Sequence, residues 1–157
     1  MPKSSSQNEE RELQLRPMKT ADIDKIVALE NECQLSSWGG TGYQVELLNQ
    51  SAVLLTAIVH DEVVGFFSGR MLAYEFEIYT IAVAPKFRRQ GFGAKILIAA
   101  LEIAKTSGAK KAYLEVRAAN EPAKNMYEQA GFALTGIRKE YYSAPVEDAL
   151  LFSCEID

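Results

Sequence analysis

Ile81-Ala82-Val83-Ala84-Pro85-Lys86-Phe87-Arg88-Arg89-Gln90-Gly91-Phe92-Gly93-Ala94 joins an apolar, strand-like run to a basic turn with two glycines and then to the start of a helix. Each part suits an anion. A helix start leaves backbone N–H groups unpaired and carries positive partial charge, and an anion placed there satisfies both. Gly91 and Gly93 lack the Cβ atoms that keep a backbone away from a pyrophosphate, and Arg88 and Arg89 add charge, with Lys86 at the rim. A Walker A loop does not fit, because no Gly-Lys-Ser/Thr follows. The dinucleotide Gly-x-Gly-x-x-Gly fails too, because Ile96 holds the third glycine position. A glycine pair before a helix is by itself often an ordinary solvated turn, so the surrounding pattern has to decide.

Upstream, Glu12 to Arg16 alternates as a half-buried strand does, and Pro17 helps to end it. Thr20 is a candidate N-cap for a helix with Ile23, Ile26, Val27 and Leu29 at helical spacing, running to about Cys33. Leu35 to Gly42 reads as a flexible loop, followed by a short helix through Leu48. Ala52 to Val59 and Val63 to Met71 are strand-like, with a hairpin turn at His60-Asp61-Glu62. Glu75 to Val83 alternates, which puts Glu75, Glu77, Tyr79, Ile81 and Val83 on one face of a central strand and Phe76, Ile78, Thr80 and Ala82 on the other.

Downstream, Ile96, Leu97, Ala100, Leu101 and Ala104 make a helical stripe ending near Gly108. Lys110 to Arg117 is a strand, Asn120 to Ala130 a helix closed by Gly131, and Phe132 to Lys139 and Glu147 to Glu155 two further strands. The order β-α-(α)-β-β-β-α-β-α-β-β predicts an α/β (α+β) fold, a mixed sheet with helices on its faces. The polar, aperiodic residues 1–10 are expected to be a disordered lead-in, and 11–157 a single domain.

The composition removes several classes. A net charge of −4 argues against broad nucleic-acid binding, and an anionic ligand must find local positive charge. No apolar run is long enough to span a membrane, and the amino terminus has no signal-peptide core, so a cytoplasmic protein is expected. Cys33 and Cys154 form no metal-ligating cluster with the single His60, and neither a zinc site nor a disulfide framework is expected.

Arg88-Arg89-Gln90-Gly91-Phe92-Gly93 between a strand and an amphipathic helix resembles the Arg/Gln-x-x-Gly-x-Gly/Ala motif of the GNAT superfamily of N-acetyltransferases. A second run, Leu114-Glu115-Val116-Arg117 through Asn120 to Tyr127-Glu128-Gln129-Ala130-Gly131-Phe132, resembles the RimI-like branch, the ribosomal-protein-alanine N-acetyltransferases. Arg138 to Tyr142 and Glu147-Asp148-Ala149 follow that branch's R-x-x-YY and EDA segments. The likeness extends over roughly residues 12–156 and is weakest between Leu35 and Gln50.

The resemblance implies a GNAT fold, a mostly antiparallel sheet of about seven strands splayed between the fourth and fifth. It implies acetyl-coenzyme A as cosubstrate, with no metal. Ile81, Ala82 and Val83 would hold the pantetheine arm like an added strand, Val83 through its amide donating to the thioester carbonyl. Arg88, Arg89, Gln90, Gly91, Phe92, Gly93 and Ala94 would bind the pyrophosphate, and Asn120 would hydrogen-bond the pantetheine. Glu115 would be the general base, directly or through a water, and Tyr127 the general acid to the leaving thiolate. Glu77 is the rival base. Without the resemblance, Glu115 reads as a strand residue that is solvated or salt-bridged to Arg117, and Tyr127 as packing.

Three functions compete at this level. The resemblance favours acetylation of a protein N-terminal α-amine, on an alanine-starting ribosomal protein. The alternatives are a GNAT enzyme for a small amine or for lysine side chains, and a silent acetyl-coenzyme A-binding module, which the presence of Glu115 and Tyr127 opposes. An acceptor peptide would enter between the Leu35 to Gly42 segment and Tyr141-Tyr142, where Trp38 also stands.

Overall fold

The computed structural model describes residues 12–35 and 38–157; the expected lead-in at 1–10 lies outside the described residues. Alternating apolar residues build seven strands: β1 Gln14–Pro17, β2 Ala52–Val59, β3 Glu62–Leu72, β4 Glu75–Val83, β5 Lys111–Arg117, β6 Ala133–Ser143 and β7 Val146–Glu155. Among the described residues four α-helices interleave with them: α1 Ile23–Glu32, α2 Gly39–Leu47, α3 Phe92–Thr106 and α4 Glu121–Gln129. The strands form one sheet in the order β1-β2-β3-β4-β5-β7-β6, antiparallel throughout except where β4 meets β5. This is the expected mixed sheet and element order.

Helices cover both faces. On one side, Phe92, Ile96, Leu97, Ala100 and Ala104 of α3 and Tyr127 of α4 pack on Phe67, Phe76, Ile78, Leu114 and Phe152. On the other, Ile23, Ile26 and Leu29 of α1 and Tyr43 of α2 pack on Leu54, Phe66 and Ala82. α1 lies over β3 and β4 and α2 over β2, while Tyr113, Glu115 and Arg117 of β5, Arg138 of β6 and Leu151 of β7 line an open trough beside them.

Three local expectations are corrected. Thr20 does not cap α1: it opens a short 3-10 turn, Thr20–Asp22, and Asp22 organises the helix start instead. Its carboxylate accepts from both Arg16 Nη atoms at 2.6 and 2.8 Å, from the Lys19 N–H at 2.8 Å and from Thr56 Oγ1 at 3.0 Å. The stretch from Gly39 to Gly42 is helical rather than loop; Ser36 and Ser37 lie outside the described residues. Glycines are poor helix formers, but here the buried Glu30 carboxylate accepts from the Trp38 and Gly39 N–H groups at 3.1 and 3.4 Å and from the Tyr43 hydroxyl at 2.6 Å. That anchor is a buried side chain of the preceding helix, α1, so the propensities of the glycine stretch itself could not announce it.

The third correction concerns β4. Its pairing with β3 moves from Ser68↔Thr80 to Gly69↔Ile78, which makes Tyr79 an extra residue, a β-bulge. Tyr79 stays beside Glu77, while Ile81 and Val83 pass to the α3 side of the sheet and Ala82 turns to the α1 side. Gly69 permits the distortion: a Cβ there would come within 2.7 Å of the Glu77 carbonyl oxygen.

Candidate active site

β4 and β5 pair only from Glu75↔Lys111 to Ile78↔Leu114. Past the bulge they diverge, the expected splay between the fourth and fifth strands. The Ala84 N–H donates to the Val64 carbonyl at 2.7 Å, which makes that a hydrogen-bonded antiparallel pair. Because such pairs alternate, the N–H and C=O groups of Ile81 and Val83 point away from β3, into the gap. An extended chain laid there would find a strand edge already prepared.

At the end of β4 the chain makes a short 3-10 turn, Pro85–Phe87, and enters α3 through Gly91 at φ +79°. No side chain caps α3, and its first internal bond is Lys95 N–H to the Gly91 carbonyl at 3.2 Å, so the amides of Phe92, Gly93 and Ala94 have no helical acceptor. The residues fit a pyrophosphate. The basic side chains divide. Arg88 turns back onto the strand, its Nε donating to the Val83 carbonyl at 3.0 Å and its Nη2 lying 3.4 Å from Cys33 Sγ. Lys86 is drawn to Glu62 at 3.1 Å. Arg89, exposed and at φ +64°, makes no hydrogen bond or ion pair among the described residues, which leaves its charge available at the turn. Gln90 is exposed beside it.

Below the splay lies a cleft of about 1000 Å³. β4 gives it Glu75, Glu77, Tyr79 and Ile81; β5 gives Glu115; the start and body of α4 give Asn120 and Tyr127; Trp38 stands at one rim and Tyr141 and Tyr142 at the other. The structure thus brings Glu115, Tyr127, Asn120, Ile81 and the rival Glu77 into one space. Ala82, Val83 and the turn from Arg88 to Ala94 lie outside its lining, joined to it by β4 and by the contact of Gly93 with α4. A smaller hollow of about 370 Å³ beside Lys25, His60 and Asp61 touches none of them.

Strand alternation explains the split on β5: Ala112, Leu114 and Val116 are buried, and Tyr113, Glu115 and Arg117 face the trough. Glu115 does not pair with Arg117. Its Oε1 lies 3.4 Å from Arg138 Nε, while Arg117 reaches Glu147 at 3.3 Å and lies 4.1 Å over the Tyr142 ring. Glu77 accepts from the Tyr79 hydroxyl at 3.1 Å. Asn120 caps α4, its Oδ1 accepting from the Ala123 N–H at 3.2 Å, which leaves its amide NH2 for a ligand.

Tyr127 stands in the second half of α4 and is 8% exposed. Its ring packs edge-on to Phe132, 5.7 Å between centroids, and its hydroxyl makes no hydrogen bond among the described residues. Burial pushes this phenol up to about 12. Burial and then Glu77 push Tyr79 up to about 12 as well. Both are neutral proton donors near neutrality. Arg138 and the bulged Tyr79 are among the cleft residues that motif reading assigned no role; that Arg138 on β6 reaches Glu115 on β5 depends on the strand order, which strand alternation does not give.

Among the described residues no group of three metal-ligating side chains occurs, and no helix is long and apolar enough to cross a membrane. The model of the acetyltransferase (GNAT) family matches residues 23–132. The ribosomal protein bS18-alanine N-acetyltransferase of Haemophilus ducreyi is 32% identical over 127 residues, 79% of this chain and 85% of that one. The N-alpha-acetyltransferase of Sulfurisphaera tokodaii is 28% identical over 93% of this chain and 95% of its own length. The crystal structure of the ribosomal-protein-S18-alanine N-acetyltransferase of Escherichia coli superposes with a TM-score of 0.85 at 24% identity, covering 93% of this chain and 95% of that one.

Proposed function

The chain belongs to the acetyltransferase (GNAT) family and its RimI-like branch, and we propose that it acetylates the N-terminal α-amine of a protein, an alanine-starting ribosomal protein. It is an N-acetyltransferase with acetyl-coenzyme A as its cosubstrate, which supplies an activated acetyl thioester. The observation that carries the acceptor reading is the cleft. At about 1000 Å³, lined by Trp38 and by Tyr141-Tyr142, it has the volume to take several residues of an extended peptide. The relatives named for N-terminal and ribosomal-protein acetylation support the same choice.

In this reading the outward-facing groups of Ile81 and Val83 pair with the pantetheine, and the Asn120 amide adds a hydrogen bond. The first amides of α3, around Gly91 to Ala94, hold the pyrophosphate with Arg89 and Gln90 beside them; Arg88 fixes the turn to the end of β4. Glu115 takes the proton from the acceptor ammonium, directly or through a water. The Val83 N–H meets the negative charge that develops on the carbonyl oxygen. Tyr127, kept protonated by burial, gives its proton to the departing sulfur. Transfer is direct, within a ternary complex.

The acceptor's own acidity favours an α-amine. At pH 7 an α-amine is roughly 10% neutral and a lysine about 0.04%, a difference of about 3 kcal/mol that one carboxylate need not overcome for the former. The experiment compares kcat/KM for a ribosomal-protein-like peptide beginning with alanine, the same peptide with a blocked amino terminus and free lysines, and spermidine. The free peptide is expected to lead by at least about tenfold. Equal rates on the blocked peptide or on spermidine would replace this reading with the lysine or small-amine alternative.

A further inference from the structure

Glu115 has two guanidinium groups for neighbours. Arg117, on its own strand, is held away by Glu147 at 3.3 Å and by the Tyr142 ring at 4.1 Å. Arg138 comes from β6, with β7 between, and its Nε lies 3.4 Å from Glu115 Oε1. Two features of β6 allow that reach. Leu151 of β7 stands opposite both Glu115 and Gly136, and its Cδ1 already lies 3.0 Å from where a Cβ on Gly136 would be, so no side chain at 136 comes between. Directly after Arg138 the β6–β7 register breaks and resumes at Tyr142; Glu140 sits at φ +50° with its N–H donating to Asp148 Oδ1 at 2.9 Å. Across this break the Tyr141 ring comes to rest 5.4 Å from the Arg138 guanidinium carbon.

We infer that Arg138 is a positioning residue: braced by Tyr141, it holds the Glu115 carboxylate toward the cleft for the incoming amine. The inference deepens the reading of Glu115 as the base and rests on it. A carboxylate on an open trough samples several rotamers, and a base acts only from within hydrogen-bond reach of the proton it takes. A planar guanidinium backed by an aromatic ring narrows that choice. Side-chain exposures of 55% for Arg138 and 29% for Glu115 make the pair a surface one, able to bias a rotamer by about fivefold at most and to yield to the acceptor's ammonium. Tyr141, half exposed at the acceptor rim, ties the groove that receives the peptide to the group that deprotonates it.

The test is steady-state kinetics on Glu115→Gln, Arg138→Gln, Arg138→Lys and the double variant Glu115→Gln/Arg138→Gln, using the alanine peptide, with thermal melting as a folding control. Arg138→Gln is expected to lower kcat about fivefold with KM for acetyl-coenzyme A unchanged. Arg138→Lys, which keeps the charge but loses the planar fork stacked on Tyr141, should recover only part of that loss, and the double variant should be no slower than Glu115→Gln alone. Full kcat in Arg138→Gln, no recovery in Arg138→Lys, or losses that multiply in the double variant would overturn the inference. The outcomes separate it from the base reading. If Glu115→Gln is crippling and Arg138→Gln is silent, only the positioning role falls; if Glu115→Gln retains full activity, the base reading falls and this inference falls with it.

Discussion

Gly93 lies against Met126: a Cβ on Gly93 would stand 3.0 Å from the Met126 sulfur. The first turn of α3, where the unpaired amides collect, is thereby packed on the helix that carries Tyr127. In the proposed reading, this contact ties the pyrophosphate end of the site to its chemical end. Gly93→Ala asks only a flexible thioether to move and gains helix propensity, so the melting temperature should stay within about 4 °C of the parent. Gly93→Leu has no such room, and the affinity for acetyl-coenzyme A measured by titration calorimetry should fall at least about tenfold.

Gly91 is constrained by conformation rather than by neighbours. Its φ of +79° is strained for any L residue, although nothing lies within 4 Å of a Cβ built there. Gly91→Ala should cost about 1 kcal/mol in urea unfolding, and a bulky substitution should abolish acetyl-coenzyme A binding by closing the approach to the α3 amides. A chelator should leave binding unchanged. Full affinity in a Gly91→Leu variant would remove the turn from the site.

Tyr127→Phe keeps the ring that packs on Phe132 and removes only the hydroxyl. The expected result is a kcat at least about tenfold lower with the acetyl-coenzyme A dissociation constant unchanged. Because burial raises this phenol to about 12, it remains protonated from pH 6 to 10, and its ionisation should produce no falling limb in kcat across that range.

Glu115→Gln should reduce turnover by about a hundredfold, most severely at low pH where the amine is hardest to deprotonate. Glu77→Gln, whose native partner is the Tyr79 hydroxyl, should have the smaller effect. The reverse ranking in kcat/KM from pH 6 to 9 would move the base to Glu77.

Asp22 offers a test of stability alone. Hydrogen bonds from Arg16 hold its carboxyl down at about 2 against the burial that opposes them. A depressed folded value means stabilisation that is fully present above the unfolded value near 4 and is lost as pH falls from about 4 to about 2. Asp22→Asn should therefore cost about 2 kcal/mol at pH 7 in urea unfolding. That difference should shrink toward zero between pH 4 and pH 2; a pH-independent difference would assign the loss to packing.

The sequence by itself determined the order of strands and helices, the turn at Arg88 to Ala94 and the motif run from Glu115 to Tyr127, because these depend on periodicity, glycine placement and spacing over short stretches. It could not determine what depends on contacts between one element and another. Gly39 to Gly42 became helix because Glu30 receives the first amides of α2. Ile81 and Val83 left the face predicted for them because Gly69, on the neighbouring strand, lets Tyr79 bulge. Arg88, legible as a phosphate ligand, is spent on the Val83 carbonyl, and Glu115 meets Arg138 rather than its strand neighbour Arg117. Side-chain type and local period are properties of the chain, whereas register, bulges and ion-pair choice are settled only when strands distant in sequence come to lie 5 Å apart.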